Sequence, residues 1–455
     1  MIPVPRRSLF AGSAALALAA CTPTPDPTLT PTPSAPAPTP TPTPTVGPFG
    51  LRVPSTIRAT VHVGPLRGQV LDAAAERLMS DRPGVEVVVD GVENIRDEVG
   101  PVLDTAPPDL VNNAGDAQLP LAEIADDLLS LDALLDADNL DGATIRETLY
   151  TGALTPGIVD GAQLAMQYTL IVHGLWYSET TFSERAWAPP ETWDAMHELG
   201  ELAAADGRPL LSWDPTQVGD LLTMVIASSI KEGGHDLRRA LDNLEPDAWQ
   251  HPAVTRTLDA VQALVGAGHV QEVDDAQQSW GTDAGALLCP AGATIIRATR
   301  AAMPDDFLPV VAPVPTITSA PALPVAAVHA AAEESFFVPR AAANPAGALE
   351  LLRTMLSREV AAEFSRANEL PTVVRGAAST SDSHALNTQT RLLANAGEHV
   401  FHWRFLHFYG LAEEAGGAMA EFLRGTLTRP ELVMGLQAAC DAVRENPDIM
   451  QYEVQ

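Results

Sequence analysis

From Ser55 onward the chain alternates short β-branched runs with segments of helical spacing, and that order restricts the folds open to it. Residues 56–63 read as a strand. Residues 69–80 read as a helix with Val70, Ala74 and Leu78 on one face. Residues 85–89 form a second strand after Pro83-Gly84, and 109–111 a third after Pro107-Pro108. Residues 119–135 hold further helical segments. Strand–helix–strand–helix order buries strands on both faces, so it predicts an α/β chain with a parallel sheet between helices. A long strand is predicted over 165–177, where a second lobe begins. Thr192, just after Pro189-Pro190, caps a helix that places Trp193, Met196 and Leu199 on one face. Residues 252–265 are another amphipathic helix, and Phe336-Phe337-Val338-Pro339 is a short strand. Residues 344–357 form a helix with Pro345 in its first turn. The C-terminal third is helical, with aromatics gathered over 399–411.

What precedes this alternation cannot belong to a core. Arg6-Arg7-Ser8-Leu9-Phe10 looks like a twin-arginine export signal, followed by an apolar run over 9–20. That run falls short of the roughly 20 apolar residues needed to span a bilayer. Leu18-Ala19-Ala20-Cys21 resembles a lipobox, which makes Cys21 the expected first mature residue and lipid attachment site. An ordinary secretory signal with an incidental cysteine is the alternative. Residues 22–45 alternate proline with threonine, serine or alanine. Such a stretch favours polyproline II, at roughly 3.1 Å per residue, giving a semi-rigid tether of about 70 Å. The expected order is signal 1–20, tether 21–48, then the folded part, held at the outer face of the cytoplasmic membrane.

The remaining length exceeds one ordinary core, so two lobes are expected. With 58 acidic against 27 basic residues the net charge is -31, and Lys231 is the only lysine. Nucleic acid and anionic lipid surfaces are therefore poor partners, and no nucleic-acid partner is expected. Export permits a disulfide between Cys289 and Cys440, but neither lies in a cysteine-rich scaffold, and two separate buried thiols are the preferred reading. The acid pairs Asp126-Asp127, Asp274-Asp275, Asp305-Asp306 and Glu333-Glu334 are adjacent in sequence and read as solvated pairs. No Gly-x-Ser-x-Gly, His-Glu-x-x-His or phosphate-cradling lysine loop occurs. No catalytic residue is assigned and the chain is not expected to be an enzyme. His399 and His402 could share a helical face, but His407 falls poorly with them, so no metal or other cofactor is expected.

Several phrases carry a resemblance. Pro-Pro-Asp-Leu at 107–110, Gly-Leu-Trp-Tyr-Ser at 174–178, Pro-Pro-Glu-Thr-Trp-Asp at 189–194 and Asp-Gly-Arg-Pro-Leu at 206–210 are four of them. A fifth is Phe-Val-Pro-Arg-Ala-Ala-Ala-Asn-Pro-Ala-Gly-Ala-Leu-Glu-Leu-Leu at 337–352. In this order they resemble the family 1 extracellular solute-binding proteins of carbohydrate ABC transporters. Ala-Leu-Asp-Asn-Leu-Glu-Pro-Asp-Ala-Trp-Gln-His-Pro-Ala-Val at 240–254, the export signal and Pro48-Phe49-Gly50 are similar to the actinobacterial N-acetylglucosamine/diacetylchitobiose-binding lipoproteins. The resemblance covers nearly all of 48–455.

It implies a two-lobed periplasmic-binding-protein-like fold of type II, each lobe a mainly parallel sheet flanked by helices. The N-terminal lobe would take 49–168 plus 334–370, and the C-terminal lobe 169–333 plus 371–455. Chain crossings near 168–170, 336–338 and 369–372 would form the hinge. The implied function is capture of a sugar, N-acetylglucosamine or a chito-oligosaccharide, by a monomer that delivers it to ABC permease subunits. A divergent receptor with altered or lost sugar specificity, acting as a sensor or adaptor, is the alternative. Family receptors bind through loops that correspond here to Arg67, to Asn112, Asn113 and Asp116, to Trp213, Asp214 and Gln217, and to Trp403. Read from the residues alone, Asn112 and Asn113 are equally turn formers. Trp213 and Trp403 are equally core, and Trp176, Trp193, Trp249 and Trp280 read as packing. Where the branch carries Gly-Ser-Trp this chain has Ala291-Gly292-Ala293, and Ala293 cannot stack on a sugar.

Overall fold

The computed structural model describes residues 45–455 except 65, 67–68, 116, 283–284, 379–380 and 455. The export signal, Cys21 and the tether, with Arg67 and Asp116, lie outside the described residues.

After a short antiparallel pair at Thr45–Val46 and Leu51–Arg52, strand β1 (Ser55–His62) leads through helix α1 (Asp72–Asp81) to β2 (Val85–Val92). These strands are parallel, in register from Ser55↔Val85 to His62↔Val92. Helix α1 turns Ala74, Ala75 and Leu78 inward. β3 (Leu110–Asn113) joins the other edge of β1, also parallel. The helical segments expected over 119–135 are present but short. They are one 3-10 turn at Ala125–Asp127 and one helical turn at Asp132–Leu135.

β4 (Met166–Ser178) is thirteen residues long. Helix α2 (Trp193–Ala205) begins where Thr192 Oγ1 accepts a hydrogen bond from the Ala195 amide at 3.2 Å. β5 (Leu211–Trp213) then leads into α3 (Val218–Asp242), which kinks at Gly234, where φ is +83°. Helix α4 (Pro252–Gly266) brings the chain to β6 (Val270–Glu272), parallel to β5. β7 (Cys289–Gly292) and β8 (Pro309–Ala312) both pair antiparallel with β4.

β9 (Val328–Phe337) runs antiparallel to β4 and to β3. The short strand expected at 336–339 is therefore only the end of a ten-residue strand. Helices α5 (Pro345–Met355), α6 (Arg358–Asn368) and α7 (His384–Ala396) follow, and then β10 (Val400–Phe401), parallel to β9. Helix α8 (Ala412–Leu423) and helix α9 (Arg429–Glu445), which opens on a Thr428/Glu431 capping box, complete the chain.

The large sheet has the order β7-β4-β9-β3-β1-β2, with β8 attached to β4 and β10 to β9. One apolar core gathers around β1, β4, β9 and α5 through α7. A second gathers around α2, α3, α4, α8 and α9. Trp280, Ile295, Val311 and Leu393, which the expected lobe division places with the second lobe, pack into the first core. Each fully buried large apolar side chain contributes about 1.5–3 kcal/mol. Trp176, Trp249 and Trp280 are almost completely enclosed, as a packing role requires. Cys289 and Cys440 are separate buried thiols.

Three segments lie side by side at the middle of the molecule. Thr169 faces Glu333 of β9 on one edge of β4 and Thr372 on the other. The Leu170 amide donates to Pro371 O, and the Val373 amide to Tyr168 O, both at 2.9 Å.

Candidate functional site

The β4–β9 pair has two unlike faces. Side chains alternate across a strand, so register decides what each face presents. On one face Met166, Tyr168, Leu170 and Val172 are all buried in the first core. Tyr168 meets the Phe364 ring edge-on at 5.1 Å and donates its hydroxyl to Met355 O at 3.2 Å. The other face is polar. Gln167 stands opposite Ser335, Thr169 opposite Glu333, and Ile171 opposite Ala331. Beyond them the His173 and His329 rings lie 4.8 Å apart.

Several polar atoms on this face lack partners. Gln167 Oε1, Ser335 Oγ and His173 Nδ1 are buried and accept or donate no hydrogen bond among the described residues. Buried polar groups are nearly always paired, and leaving one unpaired costs about 1–3 kcal/mol, so these three atoms, spread along the strand pair from Gln167 to His173, are open to a partner.

The charges on this face are muted. Glu333 is open to solvent, but protein crowds its other sides and pushes its carboxyl up to about 7, with neighbouring Glu334 adding repulsion. Burial likewise raises Glu334, although the Asn112 amide offsets part of this by donating to Oε2 at 3.0 Å. Burial lowers His173 to about 4 and His402 to about 3, helped by repulsion from His407 and Arg404 respectively. His329 is driven well below the usual range for the same first reason. At neutral pH the three imidazoles are uncharged, and each neutral ring offers one donor and one acceptor. Such a face suits an uncharged polyhydroxyl ligand, and its carboxyls disfavour an anion.

Loops from both sides approach it. β1 ends at His62, whose amide donates to Asn112 Oδ1 at 3.2 Å. Gly115 packs against the His62 ring with φ +80°, a position that leaves no room for a β-carbon. On the opposite side Gly292 faces His173, and a β-carbon there would come within 2.8 Å of Ile171 and 3.0 Å of the His173 ring. The Gly292 backbone and the Gln277 side chain hydrogen-bond Asp220, whose carboxyl burial nonetheless pushes up to about 7. A pocket of about 180 Å³ opens beside His402, lined also by Pro156, His235, Arg238 and Arg404. His402 Nδ1 is another buried atom without a partner.

The sequence-predicted site residues fare differently. Asn112 is fully buried, and its amide is spent on Glu334, on Ser335 O and on the His62 amide. Asn113 is consumed by a two-way pairing with the Leu119 backbone. Asp214 accepts from the Thr216 and Gln217 amides and the Thr216 hydroxyl through one oxygen, and from the Ala276 amide through the other. Burial alone would raise it, but those donors hold it below the usual carboxylate range. Trp213 is buried, with the Arg424 guanidinium 5.1 Å from its ring centre. Trp403 is buried, and His329 covers one of its faces at 3.6 Å. These five side chains hold the walls together rather than project into open space. Gln217 is half-buried at the start of α3, with no capping bond from its side chain. Arg67 and Asp116 lie outside the described residues. Ala293 is buried, so no aromatic platform stands there.

The polar face itself was missed. Its signal is the period-two pattern Met166-Gln167-Tyr168-Thr169-Leu170, which continues to Val172-His173.

Comparison with known proteins agrees with this architecture. The family model described as bacterial extracellular solute-binding protein matches residues 65–362. The chain is 36% identical over 416 residues to the diacetylchitobiose binding protein NgcE of Streptomyces coelicolor, covering 90% of this chain and 89% of that one. Among solved structures, a probable secreted solute-binding lipoprotein of Streptomyces coelicolor superposes with a TM-score of 0.69 at 16% identity, covering 84% of this chain and 98% of the other. Apo RafE of Streptococcus pneumoniae gives 0.68 at 16% identity, over 86% and 99%. The chain belongs to the bacterial extracellular solute-binding protein family, and its fold is the type II periplasmic-binding fold.

Proposed function

We propose that the protein is the extracytoplasmic receptor of a carbohydrate ABC importer and that its ligand is a short N-acetylglucosamine oligosaccharide of the diacetylchitobiose type. The observation that carries the ligand class is the 36% identity to a diacetylchitobiose-binding protein over nine-tenths of the chain. The chemistry of the β4–β9 face agrees with it. Unpaired Gln167, Ser335 and His173 supply acceptors and donors for hydroxyls and acetamide groups, and Glu333 supplies a carboxyl that can both accept and donate near neutral pH. His62 stands at the end of β1 beside Asn112, and we keep Arg67, Asp116 and Gln217 as further candidate contacts. Asn112 positions Glu334, and Trp403 fixes His329.

In this reading the lobes are 49–168 plus 334–370 and 169–333 plus 371–455. They close about the three segments that meet at Thr169, and closure presents the loaded receptor to the permease. Cys21 carries the lipid, and the tether lets a monomer reach soluble sugar. Binding needs no covalent step. The buried Ala293 favours one variation, a receptor whose sugar preference has shifted from that of its relatives.

A thermal-shift screen of the mature chain tests the ligand. Ligand binding to the folded state raises the melting temperature by mass action. A rise with diacetylchitobiose and with N-acetylglucosamine is expected. A rise with an unrelated sugar alone would replace the ligand, and no rise across a broad panel would overturn the sugar reading.

A further inference from the structure

A second cluster lies away from the polar face. Helix α2 carries His197 and Glu201 one turn apart, and His269, the residue before β6, lies over the helix between them. Residues four apart share one helical face, so His197 and Glu201 point the same way. Gly200 makes the approach possible, because a β-carbon there would sit 2.5 Å from His269 Cδ2. The backbone around His269 is fixed as well. Its amide donates to Leu264 O at 3.0 Å, and its carbonyl accepts from the Leu210 and Leu211 amides at 3.1 Å.

The ring of His269 is only 3% exposed, and its Nε2 has no hydrogen-bond partner among the described residues. That nitrogen sits 3.3 Å from Glu201 Oε1 without hydrogen-bonding alignment. The His197 ring stands edge-on to it, with centroids 5.1 Å apart. One ligating atom from each of the three residues falls within 4.8 Å of the others.

We propose that His197, Glu201 and His269 form a binding site for a divalent transition cation of the zinc class. Two imidazoles and a carboxylate are a set that Zn2+ takes, with bonds of about 2.0–2.2 Å and a fourth position left for water. In a tetrahedron of such bonds, neighbouring ligand atoms are about 3.3–3.6 Å apart, a range that includes the 3.3 Å His269–Glu201 separation. His197 is half-buried on the outer side and closes the remaining gap by rotating its ring. A cavity of about 240 Å³, lined by Trp193, Asp194, His197, Ala260 and Ala263, opens beside His197, and exposed Glu201 keeps the cluster reachable from solvent. A bound ion would fasten α2 to the start of β6, bracing the second core.

Calorimetric titration of the metal-free mature chain with Zn2+ tests this, with Co2+ absorption reporting coordination geometry. One equivalent per chain is expected, with the absorption of tetrahedral cobalt. His197→Ala and Glu201→Gln should each weaken Zn2+ by at least about tenfold, since even outer-shell partners are worth that much. Both residues are solvent-facing, so circular dichroism should confirm intact folds. His399→Ala, on a histidine outside the cluster, should leave the isotherm unchanged. An unaltered isotherm in His197→Ala and Glu201→Gln, or no stoichiometric Zn2+ uptake by the parent chain, would overturn the proposal.

Discussion

The loop at 213–217 and the polar face of the β4–β9 pair both offer buried polar side chains, yet the structure treats them oppositely. Asp214 receives four hydrogen bonds, three of them from backbone amides, and is held below the carboxylate range. Glu333 is crowded without such donors and is driven up to about 7. Near it, Gln167, Ser335 and His173 keep atoms without partners. A carboxylate surrounded by backbone donors is a device of the fold. One left without them, among unpaired neighbours, is available to a ligand. Asp214 is buried and Glu333 is exposed, and the hydrogen-bond inventory separates the two as sharply.

Substitutions that attack each side should behave differently. The largest effect is expected from Trp403→Ala, which removes a buried ring stacked on His329 at 3.6 Å. Large aromatic-to-alanine changes in a core cost about 3–5 kcal/mol, so the urea midpoint should drop sharply. If instead stability holds and only sugar affinity falls, Trp403 belongs to the binding surface.

Asp214→Ala comes next. It removes the acceptor of the Thr216 and Ala276 amides, and leaving the buried Ala276 amide unpaired costs about 1–3 kcal/mol, whereas the Gln217 amide keeps its bond to the residue 214 carbonyl at 3.1 Å. Its folded-state pKa is lowered, so the wild-type stabilisation is present above the unfolded pKa and fades as pH falls through the folded one. The gap between wild type and variant in denaturant melts should therefore be full at pH 7 and narrow towards pH 3. A gap independent of pH would remove the carboxylate from the account.

The smallest stability effect, with the opposite sign, belongs to Glu333→Gln. A carboxyl raised from 4.5 to about 7 carries no penalty below its unfolded pKa, and a penalty that grows as pH rises to the folded value and is full above it. Solvent reaches this side chain, which screens part of that penalty. The variant should melt slightly higher than wild type at pH 8 and equal to it near pH 4.5. A lower melting point at pH 8 would mean that Glu333 has a stabilising partner.

Much of the fold was legible from local pattern. β1, β2, α1, α2, α4 and α5 follow from β-branched runs, apolar spacing and start signals such as the Thr192 cap and Pro345. β9 was read only at its end because Val328-His-Ala-Ala-Ala-Glu-Glu-Ser favours helix by composition. Pairing with β4 and β3 overrides that preference. The site was legible in position more than in role. Asn112 and Asn113 do end a strand beside the face, but their amides are spent internally, which spacing alone cannot reveal. Glu333-Glu334 read as a solvated pair. Instead the positive φ of Glu334, +55°, accompanies its bond from Asn112, while Glu333 stays on the open face opposite Thr169.

The most direct test of the account is calorimetric titration of diacetylchitobiose into the mature wild-type chain and into Glu333→Gln at pH 7. The account predicts one site per chain in the wild type and affinity weakened by about tenfold or more in the variant, a loss of about 1.4 kcal/mol or more. Equal affinities in the two proteins would contradict the assignment of the β4–β9 face as the sugar-binding surface.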